Sequence, residues 1–233
     1  MTSDIGAELD AIFYPRSVSI IGASSSEGSF GRLFLEGFKR MGFQEIYPVN
    51  PREEILMGLK TYPSITDIPY EVDLAILLIP QSETLKVVRE CAKKGVKGII
   101  LFAAGFGEKS PEGRLLEQHI AQEARRYGTR VIGPNTTGIF SSRARVCTLA
   151  SPLILGGLPT GGGGVSLVAQ SGSFNDFLSI VLTRNNIKVG KAVGSGNECD
   201  LGSEDFIEYF GADRETELIA GYLEGVKDGR RFY

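Results

Sequence analysis

Five apolar runs recur along the first part of this 233-residue chain, at intervals of about 25 to 35 residues. Most of them are continuously apolar, which is typical of strands that are covered on both faces of a parallel sheet. The runs lie at 17–23, 45–51, 72–80, 96–105 and 130–135. Helical patterns separate them, among them 82–95 with Gly95 as C-cap and 110–128, which begins with Ser-Pro. This alternation predicts a doubly wound α/β domain.

A second α/β pattern follows a glycine-rich stretch. Residues 150–164 hold six glycines and two prolines, which predicts a linker or an exposed loop. Beyond it we predict a strand, a tight turn and a helix over 165–186, and a short strand that enters a polar loop over 188–200. A helix over 203–213 with Ser203 as N-cap and a strand over 216–225 follow. Because no closing helix follows the third strand, we expect this second domain to be truncated or completed by something absent from the chain.

Composition excludes several classes of protein. The net charge of −3 gives no general attraction to nucleic acid or to anionic membranes. No apolar run is long enough to span a bilayer, and the N-terminus lacks a signal-peptide pattern. Three widely spaced cysteines fit neither a disulfide framework nor a metal cluster. We therefore expect a cytoplasmic protein with reduced thiols that binds neither nucleic acid nor membrane.

The segment "SVSIIGASSSEGSFGR" (17–32) combines a strand, a glycine-rich turn and the start of a helix. Such a turn offers backbone N–H groups and the positive end of the helix dipole to a phosphate. The spacing of Gly22, Gly28 and Gly31 is not that of a dinucleotide fingerprint, and Asn50 and Arg52 stand where a nicotinamide domain needs a carboxylate. Arg52 suits a ligand with a phosphate on its ribose, so NADP and coenzyme A both remain open. The alternative is a plain surface turn.

Several motifs together carry a family resemblance. "GASSSEGSFG", "YPVNP", "DLAILLIP", "AAGFGE" and "IGPNTTGI" occur in the order found in the CoA-binding domain of the NDP-forming acyl-CoA synthetases, which the chain resembles. The resemblance continues through "VSLVAQSGSF", "GSGNECDLGSEDFIEYF" and "YLEGVKDGRRF" and so covers nearly the whole chain. It implies a Rossmann-like CoA-binding domain over 1–145, a linker over 146–164 and an incomplete flavodoxin-like ligase domain over 165–233.

The resemblance also implies the residues of two sites. It places the nucleotide of CoA on the turn after the first strand, its adenosine phosphates near a basic residue, and its pantetheine and thiol along the ends of the fourth and fifth strands. The CoA residues are Gly22, Ser24, Ser25, Ser26, Glu27, Arg52, Phe102, Ala103, Ala104 and Asn135. For Phe102 to Ala104 the alternative is core packing, and for Asn135 it is turn formation.

A second cradle follows from the family pattern. Ser171, Gly172 and Ser173 match the helix start that receives a phosphorylated histidine, and Glu224 matches the carboxylate that orients the imidazole. The physics agrees, because backbone N–H groups and a hydroxyl stabilise a dianion without reacting. For Glu224 the alternative is a solvated glutamate at the end of a strand. His119, the one histidine of the chain, lies in a helical pattern and is interpreted as a helix-surface residue.

The implied function is one part of an acid–CoA ligase. The family reaction converts an acid, CoA and ATP to acyl-CoA, ADP and phosphate. The phosphohistidine segment and the ATP-grasp domain of the family have no counterpart in the chain, so we expect an ATP-grasp domain or subunit as partner, an oligomer, and no activity for this chain alone. The alternatives are a stand-alone CoA-binding or regulatory protein and, less favoured, an NADP-linked oxidoreductase.

Overall fold

The first sheet is the parallel one that the apolar runs predict. A computed structural model describes residues 5–148 and 161–233, so 149–160, most of the predicted linker, lie outside the described residues. The elements of the first half are α1 (Ile5–Phe13), β1 (Val18–Ile21), α2 (Phe30–Arg40), β2 (Ile46–Val49), β3 (Ile55–Leu56), β4 (Leu59–Lys60), β5 (Leu74–Leu77), α3 (Gln81–Lys94), β6 (Gly98–Leu101), α4 (Pro111–Arg125) and β7 (Arg130–Ile132). The sheet order is β2-β1-β5-β6-β7, and all neighbours are parallel.

The strand order creates a crevice. From β1 the chain crosses to β2 on one side of the sheet and afterwards to β5 on the other side. The loops after β1 and β5 therefore diverge at the carboxyl ends of these strands, which is where open α/β sheets bind ligands.

Both faces of this sheet are covered. Ile20 and Ile76 face one core, together with Phe34 and Phe38 of α2. Leu77 and neighbouring residues of β5 and β6 face a second core, together with residues of α3 and α4. Since each central strand is buried on both sides, its sequence is continuously apolar, as predicted.

The second sheet has mixed topology. Its elements are β8 (Gly138–Ser141), β9 (Val146–Cys147), β10 (Val165–Ala169), α5 (Gly172–Arg184), β11 (Val189–Gly194), α6 (Ser203–Ala212), β12 (Leu218–Tyr222) and α7 (Gly229–Phe232). The order is β12-β10-β11-β8-β9, with β10 parallel to both β11 and β12. Strand β8 pairs antiparallel with β11, and β9 pairs antiparallel with β8.

The chain enters the second sheet before the boundary that the sequence predicts at residue 145. Residues 138–141 pair with 191–194, and 146–147 pair with 140–141, so both strands belong to the second sheet by hydrogen bonding. The helix-cap prediction at Ser203 also differs, because the N-cap is Gly202. The Asp205 carboxylate accepts from the Gly202 N–H at 2.8 Å, while the Ser203 hydroxyl donates to Glu198.

The two halves share an extensive contact. Phe13 of α1 packs against Phe206, Tyr209 and Phe210 of α6, with ring centroids 6.5, 5.4 and 5.4 Å apart. The backbone of 195–201 runs beside 131–135, where Asn197, Cys199 and Leu201 each donate a backbone hydrogen bond. No helix in the described part of the chain is long and apolar enough to cross a membrane.

Candidate functional site

A groove of 550 Å³ opens at the carboxyl ends of β1, β2 and β5. Its walls combine apolar side chains with two cations, Arg52 and Lys86, and two carboxylates, Glu83 and Glu90. The apolar lining comes mainly from Ile21, Val49, Pro51, Pro63, Ile65, Leu78, Ile79 and Val87. The groove therefore offers an apolar slot with charged side chains around it, at the crevice that the strand order creates.

Glycines allow the turn after β1 to pack closely. Gly22 has φ +90°, and a Cβ there would lie 2.5 Å from the carbonyl oxygen of Leu78. A Cβ on Gly31, in the first turn of α2, would lie 2.5 Å from the carbonyl oxygen of Gly22. Neither contact has room for a side chain, so the glycines hold β1, β5 and the start of α2 together.

The serine-rich turn presents exposed polar groups above the start of α2. Ser29 is the N-cap, and its hydroxyl accepts from the Arg32 N–H at 3.2 Å. The Ser24 hydroxyl accepts from the Ser26 N–H at 3.0 Å. Ser25, Ser26 and Glu27 are exposed, and Gly22 and Ser24 line the groove, so the structure brings these predicted nucleotide contacts to one loop at the groove.

Arg52 lies on the opposite wall of the groove, after β2. Its backbone N–H donates to the Asn50 side chain at 2.8 Å, and the Asn50 amide donates to the carbonyl oxygen of Ala23 at 2.8 Å. Asn50 therefore fastens the loop after β2 to the glycine turn. The Arg52 guanidinium is exposed and pairs with no carboxylate of the described residues, so it is free to bind an anion.

Sequence reasoning missed one charged residue here. It noted that no carboxylate follows β2 directly, but Glu53 folds back toward the glycine turn. Its Oε1 accepts from the Ser25 N–H at 3.3 Å and from the Asn50 amide at 3.4 Å. The signal was its place next to Arg52, because a turn that brings Arg52 to the groove brings its neighbour close as well.

The predicted pantetheine residues lie along the same edge of the sheet, outside the groove lining. Phe102 is half-buried and packs against Phe34, with ring centroids 4.9 Å apart. The carbonyl oxygen of Ala103 accepts from the Asn135 N–H at 2.9 Å, so the ends of β6 and β7 meet. Ala104 and Asn135 are exposed, and Asn135 has φ +57°. Phe102 thus packs partly in the core, in agreement with core packing, the alternative to a role in pantetheine binding.

Asn135 connects this edge to the second domain. Its side-chain amide donates to Asn197 Oδ1 at 3.3 Å. The Asn197 amide in turn donates to Glu117 at 2.7 Å and also to Glu108. Lys227 donates to the carbonyl oxygens of Asn197 and Glu198, each at 2.6 Å. A hydrogen-bonded connection thus runs from the end of β7 to the loop after β12.

The second predicted cradle lies at the start of α5. Ser171 is the N-cap, and its hydroxyl accepts from the Phe174 N–H at 3.4 Å. A Cβ on Gly172 would lie 2.4 Å from Cγ2 of Thr137, so a larger residue there would displace the Thr137 side chain. Ser173 is exposed, while Ser171 and Gly172 are half-buried. The turn is followed by a helix, which is the geometry that an anion site at these residues needs.

Glu224 lies on the same edge of the second sheet. Strands β10 and β12 are parallel neighbours with Ala169 opposite Tyr222, so both chains leave the sheet on one side. The Gln170 side chain accepts from the backbone N–H of Glu224 at 2.6 Å and holds Gly225 with two further hydrogen bonds. The Glu224 side chain is exposed. The separation between its carboxylate and the Ser171 to Ser173 amides stays a prediction.

The histidine and the thiols lie elsewhere. His119 is exposed on α4. Burial raises the pKa of the Cys91 and Cys199 thiols, which keeps them protonated. No group of three or more His, Cys, Asp or Glu side chains in the described ranges is arranged to hold a metal ion.

The chain matches two known domain families. Residues 16–142 match the family described as CoA binding domain, which is more than half of the chain. This protein belongs to the CoA-binding domain family. Residues 162–233 match the succinyl-CoA ligase like flavodoxin domain. The CoA-binding and ligase-like organisation that the motifs indicate is confirmed.

Relatives and solved structures agree with both matches. The chain is 37% identical to the alpha subunit of an ADP-forming acetate–CoA ligase II of Pyrococcus furiosus, covering 96% of this chain and 48% of that protein. It is also 37% identical to an ADP-forming acetate–CoA ligase II of Archaeoglobus fulgidus, over 97% of this chain and 33% of that one.

Two solved structures superpose on nearly the whole chain. A crystal structure of a Pyrococcus horikoshii protein superposes with a TM-score of 0.88 at 33% identity, over 96% of this chain and 50% of that one. The apo acetyl-coenzyme A synthetase 1 of Candidatus Korarchaeum cryptofilum, described as dinucleotide forming, gives a TM-score of 0.86 at 33% identity, over 96% and 48%. The chain thus spans about a third to a half of the length of its relatives, and it corresponds to their CoA-binding portion.

Proposed function

We propose that this chain supplies the CoA site and the phosphate site of an ADP-forming acid–CoA ligase. Working with an ATP-grasp domain or subunit, it forms acyl-CoA, ADP and phosphate from an acid, CoA and ATP. The observation that carries the proposal is the pair of N-capped helix starts, one after β1 of the first sheet and one after β10 of the second. The relatives that bear the name ADP-forming acetate–CoA ligase, or the name of its alpha subunit, are two to three times as long as this chain, which supports a function as one part of such a ligase.

The groove fits the nucleotide end of CoA. The apolar slot accepts the adenine ring, and the free guanidinium of Arg52 binds the 3′-phosphate. The close approach of the turn at Gly22 and Gly31 leaves room for the pyrophosphate above the start of α2, where the helix dipole stabilises it. Ser24 to Glu27 then contact the nucleotide from the turn.

Pantetheine follows the sheet edge toward the second domain. Small residues, Ala103 and Ala104, let an extended ligand approach the backbone beyond β6. Asn135 marks the thiol end, because it is exposed and touches Asn197 of the second domain. In this arrangement the thiol is delivered to the boundary between the two sheets.

The second site holds a phosphoryl group. The backbone N–H groups at Ser171 to Ser173 and the α5 dipole stabilise a dianion, and Glu224 orients the imidazole that carries it. A carboxylate repels a phosphate, so the imidazole has to lie between them. Hydrogen bonds of about 2.7–3.2 Å at each end then require a separation of roughly 6–12 Å between Glu224 and the amides.

The same proposal has consequences for the isolated chain. His119 is exposed in the middle of α4 and belongs to neither helix start that could hold a phosphate, which argues against it as a phosphoryl carrier. We infer that the chain alone binds CoA without completing a catalytic cycle, that it acts in the cytoplasm, and that it assembles into an oligomer with its ATP-grasp partner.

Calorimetry with CoA, dephospho-CoA and NADP tests the proposal. Loss of a hydrogen bond from a charged donor costs about 1.5–3 kcal/mol, or roughly tenfold to a hundredfold in affinity. Arg52→Ala should therefore weaken CoA by that factor and dephospho-CoA by much less. Lys93→Ala, which removes an exposed cation of α3 outside the groove, is the control. Equal losses for both ligands would contradict the role of Arg52, and tighter binding of NADP than of CoA would overturn the CoA assignment.

A further inference from the structure

The carboxylate of Glu53 lies next to the groove, hydrogen-bonded to Asn50 of the groove lining. It lies between the Ser25 N–H of the glycine turn and the side-chain amide of Asn50, which lines the groove. The residue is half-buried, and no cation lies within ion-pairing distance of its carboxylate among the described residues. A carboxylate held by neutral donors beside a phosphate cradle needs a reason, because it repels the phosphates that the cradle attracts.

Binding of an adenosine ribose would explain the position of this carboxylate. A carboxylate at the end of the second strand, facing a glycine turn after the first, is the position from which acidic residues accept a hydrogen bond from a ribose hydroxyl. Here the neighbouring residue is Arg52, whose guanidinium is free. Two consecutive residues thus carry opposite charges, and a ribose with a free 2′-hydroxyl and a 3′-phosphate carries a donor and an anion on adjacent ring carbons.

We propose that Glu53 determines ligand specificity. Its carboxylate accepts a hydrogen bond from the ribose 2′-hydroxyl, while the Arg52 guanidinium binds the 3′-phosphate. The groove then selects adenosine nucleotides that are phosphorylated at the 3′ oxygen and rejects those phosphorylated at the 2′ oxygen, which would place a dianion against the Glu53 carboxylate. The inference rests on the proposed CoA site and adds to it a residue that distinguishes the 2′ from the 3′ position of the ribose.

Glu27 is the other carboxylate of the turn, and Glu83 and Glu90 lie on the α3 wall. Within the described residues none of these three is bonded to the turn backbone as Glu53 is. Glu53 is therefore the acid whose position is fixed by contacts with both loops, the one after β1 and the one after β2.

Two isomeric probes test the proposal directly. Adenosine 3′,5′-bisphosphate and adenosine 2′,5′-bisphosphate carry equal charge and differ in the position of one phosphate. Calorimetry on the wild-type chain should give at least tenfold tighter binding of the 3′,5′ isomer. The 2′-deoxy analogue of the 3′,5′ isomer should bind about tenfold more weakly than its parent, because it lacks the hydroxyl that Glu53 accepts.

The isosteric variant Glu53→Gln separates the alternatives. We expect the preference for the 3′,5′ isomer to fall by at least fivefold, and the loss from removing the 2′-hydroxyl to shrink to less than threefold. Glu54→Gln, which alters an exposed neighbour, should behave as wild type. Thermal unfolding of both variants reports whether they are folded, and the deoxy probe on the wild-type chain needs no variant at all.

The outcomes distinguish three situations. If Glu53→Gln tightens both isomers equally, the carboxylate merely competes with phosphate for the Ser25 N–H and the proposal is wrong. If the wild-type chain binds the 2′-deoxy analogue as well as its parent, Glu53 does not read the hydroxyl and the proposal is again wrong. If the wild-type chain binds neither CoA nor the 3′,5′ isomer, the proposed CoA site itself fails.

Discussion

Asp200 connects the two halves of the molecule, and its removal should cost a large part of the stability. Its side chain is fully buried in the second-domain loop that precedes α6. It accepts from the buried Val131 N–H at 2.8 Å and from Arg130 Nε at 3.0 Å, and it also pairs with Arg125. All three donors belong to the first half of the chain.

The expected magnitude follows from the burial of each partner. Breaking a buried ion pair by removing one partner costs about 3–5 kcal/mol, and here Arg130 is only 11% exposed. Arg125 is 58% exposed and adds little. We therefore expect Asp200→Ala to lower the free energy of unfolding by about 3–5 kcal/mol, which corresponds to a fall of about 6–20 °C in Tm for a chain of this size.

Urea unfolding and calorimetry of Asp200→Ala, Asp200→Asn and Arg125→Met measure these differences. The Asn variant retains an acceptor for the Val131 N–H and loses the charge, so it should cost about half as much as the Ala variant. Arg125→Met should cost less than about 1 kcal/mol. A loss below about 1 kcal/mol for Asp200→Ala would refute the reasoning, as would equal losses for Asp200→Ala and Arg125→Met.

Two further predictions concern the glycine turn and helix α5. Gly22→Ala should destabilise the fold by about 1–3 kcal/mol and weaken CoA binding in calorimetry, because φ is +90° and the new Cβ meets Leu78. The control is Gly28→Ala, at φ +76° with open space around it, which should cost less stability. Equal losses of stability for the two variants would contradict the packing argument. Burial raises the pKa of Asp176 to about 6, so the folded chain holds this proton more tightly than the unfolded one and loses stability as the pH rises from about 4 to about 6. Asp176→Asn should therefore gain stability over wild type in urea unfolding at pH 7 and not at pH 4, and an equal difference at both pH values would contradict this.

Much of the fold was predictable because strand burial and helix capping each produce a recognisable pattern in the local sequence. Strands buried on both faces are continuously apolar, and Ser110 and Gly95 cap α4 and α3 where the sequence places them. The pairing of β8 with β11 was not predictable, because the sequence of a short apolar strand contains no information on which other strand it pairs with. Pairing across about 50 residues depends on the packing of the whole molecule.

Some residues of the candidate site could likewise be predicted from the sequence and others could not. The turn at Gly22 and the helix start at Ser171 were visible because glycine and N-cap residues have local conformational roles. Glu53 was not, because its significance depends on a turn that folds its side chain back to Ser25. The connection from Asn135 through Asn197 to Lys227 joins residues far apart in sequence and becomes evident only in three dimensions.

The pairing of β8 and β9 with the second sheet determines how the two halves could be exchanged between relatives. A hybrid protein joined at residue 145 would separate β8 from its native partner β11 and combine strands from two parents within one sheet. A junction before Gly138 keeps that sheet within one parent and leaves the parallel sheet, which ends at Ile132, intact in the other. The contacts between 131–135 and 195–201 would then be the surface to match when choosing parents.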